Sequence, residues 1–155
     1  MTMASGEVIV DCARRWIGTP FAWGQSVRGA GCDCKGLVAG VAREIGHPAA
    51  ASFEAGYAGY GTRVPVDDLR AGMVKLFEPA VAMQAGDVLL IRVAKRAQHL
   101  AIYAGGNRMI HTYSKGPQRV IESPMGTVWM RALDSVWRWK SEGPVCPTAP
   151  LLEGL

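Results

Sequence analysis

The chain has 155 residues, 49% of them apolar and 19% charged, and 17 Lys and Arg against 13 Asp and Glu leave a formal charge of +4. That length makes one domain and buries roughly two-thirds of the surface the unfolded chain exposes, so disulfide staples and structural metal are unnecessary, and disorder or a collagen-like architecture is excluded. No apolar run approaches the ~18 residues of a membrane helix. The cations are scattered rather than gathered into a nucleic-acid patch, and Met1 to Gly6 carries no secretory signal.

From Glu7 to Ile17 the apolar positions Val8, Ile9, Cys12, Ala13 and Trp16 recur at helical spacing behind Ser5, a capping residue. Gly18, Pro20, Gly24, Gly29 and Gly31 then make a loop long enough to be functional. A second helix is predicted from Cys34 through Leu37, Val38, Val41 and Ile45 to Gly46, with His47-Pro48 as its stop. Ala49 to Val64 shows no clear period, and Asp67 to Phe77 reads as a third helix ended by Pro79. Beyond it the period becomes two. Asp87–Val93, His99–Ala104, Arg108–Tyr113, Arg119–Glu122 and Val136–Trp139 read as five short strands. Helices followed by an antiparallel sheet is the α+β pattern. The domain is expected over residues 1–143, with the Pro-containing residues 144–155 as an extended tail.

Cys34 opens its helix, where unpaired N–H groups and the positive end of the dipole favour a thiolate and draw the thiol pKa down. Taken alone, such a cysteine is more often an ordinary buried thiol. The candidate bases are His99 and His111, on successive strands joined around Gly105-Gly106-Asn107. A two-residue hairpin loop would turn the imidazoles to opposite faces, whereas a three-residue loop sets Ala101 opposite His111 with His99 one diagonal step away. The second register is predicted. It makes Cys34 a nucleophile, His99 its base and His111 the group that orients the base. Cys32-Asp33-Cys34 lacks the two-residue spacing of a zinc pair, and neither metal nor cofactor is expected.

These residues, taken in order as Gly18-Thr19-Pro20-Phe21-Ala22-Trp23-Gly24, Gly31 to Val38, Ala85-Gly86-Asp87-Val88, His99 to Tyr103 and Met109-Ile110-His111, resemble the signature of the NlpC-type cell-wall peptidases. The resemblance runs from about Glu7 to Glu122 and implies a papain-like cysteine endopeptidase that cuts peptidoglycan stem peptides, often between D-glutamate and the diamino acid, without a cofactor. Gly31 to Val38 is similar in particular to the branch found among phage tail and gene-transfer-agent proteins. That branch implies a protein made in the host cytoplasm without a signal peptide, carried with other tail or baseplate proteins in a virion tail or gene transfer agent particle, and acting at the bacterial wall. The tail and the tryptophans from Trp129 to Trp139 are candidate docking elements for such partners.

Departures from the family pattern set further expectations. Phe21 stands where the family often has Tyr and donates no hydrogen bond to an oxyanion. Gln25 is the expected substitute, beside the backbone N–H of Cys34. Lys35 replaces the family's frequent Ser and either lowers the thiol pKa, meets a substrate carboxylate or points to solvent. Asp33 caps the helix or lines the substrate cleft. Trp23, in the Gly-rich loop, is expected on substrate, and the other tryptophans mostly in the core. Phe21 and Lys35 together also fit a scaffold that keeps the fold without catalysis, as a structural part of a tail hub or baseplate.

Overall fold

A computed structural model of the chain describes residues 4–57 and 64–140; the expected tail, Cys146 and the domain end at residue 143 lie outside the described residues. Helix α1 (Gly6–Arg14) starts where Ser5 accepts a hydrogen bond from the Val8 N–H, and its Ile9, Val10, Cys12 and Ala13 are buried. It is shorter than the expected Glu7–Ile17 because Arg15 to Gly18 turn out of the helix. The Gly-rich loop is not structureless: it contains a two-stranded ribbon of β1 (Ser26–Val27) and β2 (Gly31–Cys32).

Helix α2 (Cys34–Glu44) is buried from Cys34 to Ala42. Trp16, 1% exposed, lies across it. A Cβ on Gly40 would stand 2.1 Å from the Trp16 ring, so only glycine admits the indole, whose N–H is held by Glu44 at 2.7 Å. Helix α3 (Ala50–Tyr57) was hidden in the sequence because small residues give it no amphipathic period; Phe53 anchors it. Helix α4 (Val66–Leu76) is followed at once by strand β3 (Phe77–Ala80), which corrects the expectation that Phe77 is helical and that Pro79 ends the helix. Pro79 is tolerated in a strand because β3 lies at the sheet edge, where one row of N–H groups has no strand to meet.

The remaining elements are β4 (Val88–Val93), β5 (Arg96–Gly105), β6 (Arg108–His111), β7 (Ile121–Pro124), α5 (Gly126–Ala132) and β8 (Leu133–Trp139). The sheet has six strands in the order β3-β8-β4-β5-β6-β7 rather than the expected five, and every neighbouring pair is antiparallel. The α+β architecture is as expected. Alternation along the strands sends Val88, Leu90, Leu100, Ile102 and Ile110 into the core shared with the helices. Leu89, Ile91, Ala101 and Met109 go to the opposite face, where Met125 and Trp129 from the α5 region cover them. Each such buried aliphatic side chain contributes about 2 kcal/mol relative to exposure.

Candidate active site

Asp33 is the N-cap of α2. One carboxylate oxygen accepts from the Gly36 N–H at 2.7 Å and the other from the Gly24 N–H at 2.8 Å, so a single residue starts the helix and ties down the Gly-rich loop. It is 1% exposed and does not line the cleft. Of its two expected roles it performs the capping one. Gly36 seals the same junction, since a Cβ there would lie 1.9 Å from the Gln25 carbonyl oxygen.

Cys34, in the first turn of α2, docks against β5. The β5–β6 ladder runs from Ile102 to Gly105, and β6 ends at His111, leaving the edge of β5 at Gln98–Leu100 without a strand partner on that side. The sulfur takes up that edge: Sγ lies 3.9 Å from the Gln98 carbonyl oxygen and is also met by the Leu100 and Lys35 N–H groups. The thiol pKa nevertheless moves up, not down as the helix start alone suggests, because burial outweighs Lys35 and the two N–H groups. Cys12 and Cys32 are pushed up as well, each to about 12, chiefly by burial.

The histidines meet as the predicted register requires. Ile102 pairs with Ile110 and Tyr103 with Met109, a register that places Ala101 opposite His111. The turn itself is the two-residue Gly106-Asn107, both at positive φ, but a bulge between Tyr103 and Gly105 adds the residue that restores the offset. His99 Nε2 and His111 Nδ1 are 2.9 Å apart, and His111 Nε2 is 3.3 Å from Ser123 Oγ. For His99 to act as a base, the tautomer set is the one in which His99 donates through Nε2 to His111 and His111 donates through its own Nε2 to Ser123. Nδ1 of His99 is left as the basic nitrogen. Burial holds the His99 pKa well below its usual value, aided by His111 and Lys35, and lowers that of His111 to about 4. Both rings pack on Trp129 (centroids 5.6 and 5.1 Å) and on Tyr113 (5.4 and 5.8 Å).

A cleft of about 250 Å³ brings Cys34, Lys35 and His99 together with Phe21, Trp23, Gln98, Thr112 and Tyr113. Trp23 is 46% exposed and stands edge-on to Phe21 at 4.8 Å. Lys35 is 4% exposed, so the solvent-pointing alternative fails. Gln25 is corrected: it is exposed, its side chain lies over Gly31, and it does not line the cleft. The docking role is corrected for Trp137 and Trp139, which are buried with their N–H groups held by Ser135 and the Gly86 carbonyl. Trp129 is half-buried and packs on the histidines. Ser123 escaped the sequence reading because its strand was expected to end at Glu122, and Trp129 because α5 is short and buries no residue fully. Among the described residues no group of three or more His, Cys, Asp or Glu side chains is arranged to hold a metal.

The model of the NlpC/P60 family matches residues 18–138. The chain is 29% identical over 140 residues to the gamma-D-glutamyl-L-lysine dipeptidyl-peptidase of Bacillus subtilis strain 168, covering 89% of this chain and 42% of that protein. It is 33% identical over 108 residues to a probable endopeptidase of Corynebacterium glutamicum, covering 70% and 43%. The chain thus spans less than half the length of these two relatives. The crystal structure of the NlpC/p60 domain of the peptidoglycan hydrolase SagA superposes with a TM-score of 0.59 at 24% identity, over 87% of this chain and 99% of that one. The cleft therefore belongs to a papain-like fold of known lineage, and the chain is a member of the NlpC/P60 family.

Proposed function

We propose that the chain is a cysteine endopeptidase of peptidoglycan that cuts the amide between the γ-carboxyl of D-glutamate and the diamino acid of the stem peptide. The observation that carries this reading is the hydrogen-bonded relay from His99 through His111 to Ser123, whose first member, His99, lines the same cleft as Cys34. The choice of bond is supported by the likeness to the Bacillus subtilis gamma-D-glutamyl-L-lysine dipeptidyl-peptidase. At neutral pH the thiol and His99 are both uncharged, because burial disfavours either charge alone. As Sγ attacks the scissile carbonyl carbon, its proton passes to Nδ1 of His99, and the resulting imidazolium is stabilised by the hydrogen bond from Nε2 to His111. The oxyanion is met by the Cys34 N–H. Nδ1 returns the proton to the departing amine, leaving a thioester. Water, deprotonated by the same nitrogen, hydrolyses it and frees Sγ.

Delivery in a phage or phage-like tail, in contact with other tail or baseplate proteins, is part of the same proposal and is supported by the Gly31 to Val38 segment. A second reading, a catalytically silent tail-hub component, draws on Phe21, which lines the cleft without a hydroxyl. Digestion of purified peptidoglycan with the wild-type chain and with Cys34→Ala, followed by mass identification of the fragments, decides between them. New γ-glutamyl ends with wild type alone are expected; identical spectra would establish the silent reading.

A further inference from the structure

The cleft contains two polar groups that the peptidase relay does not use. Lys35 is 4% exposed, yet among the described residues its ammonium has no carboxylate partner and no polar contact but Sγ of Cys34 at 4.0 Å, too long for a firm hydrogen bond. Thr112 is 1% exposed, and its Oγ1 is a buried oxygen with no hydrogen-bond partner among the described residues. Both line the same cavity, as does a second cation, Lys115, and none of the described lining residues is Asp or Glu. The nearest carboxylate in sequence, Asp33, is consumed by the Gly24 and Gly36 N–H groups.

A buried cation without an anion and a buried hydroxyl without a partner are each costly unless a ligand completes them. The neutral thiol does not supply the missing charge. What completes both is an anionic group with several acceptor oxygens beside the sulfur. A carboxylate suits an ammonium and a hydroxyl together, and the 4.0 Å from Nζ to Sγ means that it must be joined to the attacked carbonyl through only a few bonds.

We propose that Lys35 and Thr112 form a carboxylate-binding subsite beside Cys34, which selects an acyl group bearing a free carboxylate close to the scissile amide. For a γ-glutamyl amide that group is the α-carboxylate. This application rests on the peptidase reading above; the subsite itself does not.

Two measurements separate the two claims. The first compares synthetic stem peptides that differ only in having the D-glutamate α-carboxylate free or as the carboxamide. The wild-type chain is expected to favour the carboxylate about 30-fold in kcat/KM, the scale of a charge-assisted hydrogen bond. Lys35→Met should bring the ratio to within about threefold, and Thr112→Val should lower it by a smaller factor. Cleavage without preference in the wild type, or an undiminished preference in Lys35→Met, would overturn the subsite.

The second measurement needs no peptidase activity. The rates at which Cys34 is alkylated by iodoacetate and by iodoacetamide are followed by mass, and their ratio should exceed that of free cysteine by about tenfold and fall to it in Lys35→Met. Equal ratios in wild type and free cysteine would overturn the subsite, whereas a raised ratio with neither peptide cut would uphold it and reject the stem-peptide substrate.

Discussion

Cys34 and the histidine pair reach the cleft by unlike routes. The sulfur is positioned by backbone: an Asp33 cap, a glycine at 36 that lets the Gln25 carbonyl sit against the helix, and the open edge of β5 that receives Sγ. The imidazoles are positioned by side chains on a sheet whose register is set by one bulge, and they are then held by hydrogen bonds to each other and to Ser123. The helical half is limited by space at Gly36, where an added Cβ would meet a carbonyl oxygen. The sheet half is sensitive to charge, because burial disfavours protonation of both imidazoles. Rigid placement of the nucleophile and a tunable base are what acyl transfer requires.

The largest expected effect probes the helical half. Gly36→Ala places a methyl group 1.9 Å from a carbonyl oxygen, so the loop must leave the helix, and urea unfolding should show a loss of about 3 kcal/mol. Wild-type stability in that variant would mean that the loop is not seated as described.

The sheet half should reveal itself through pH. His111 titrates near 4 in the fold against an ordinary 6.5, so its contribution is complete above pH 6.5 and is lost as the pH falls through about 4. Between pH 7.5 and 5 unfolding free energy should drop by about 2 kcal/mol from this residue alone, with His99 adding in the same direction. His111→Gln should flatten the profile, and an equally steep profile in that variant would assign the acid sensitivity elsewhere. The smallest effect is expected from Ser123→Ala, which removes one hydrogen bond at the end of the relay. It should lower kcat about fivefold with KM unchanged, and an unaltered kcat would remove Ser123 from the relay.

The same contrast explains what could be read in advance. The capping of α2 by Asp33 is local, three residues from donor to acceptor, and was open to inspection. The meeting of His99 and His111 was legible through strand parity, even though the offset comes from a two-residue turn plus a bulge rather than a three-residue loop. Whatever depended on distant packing was not legible. The burial that raises the thiol pKa, the enclosure of Lys35, the placement of Gln25 against Gly31 and the covering of the histidines by Trp129 arise only when separate segments close on one another. Strand β3 and helix α3 were missed for a related reason: an edge strand excuses its proline, and a helix of small residues shows no period.

The central claim is that His99 takes the proton from Cys34. The rate of Cys34 alkylation by iodoacetamide at pH 7, compared between the wild-type chain and His99→Gln, tests it most directly. A fall of about 10²-fold or more in the variant, with the fold intact by circular dichroism, is the expected result. Equal rates in the two proteins would contradict it.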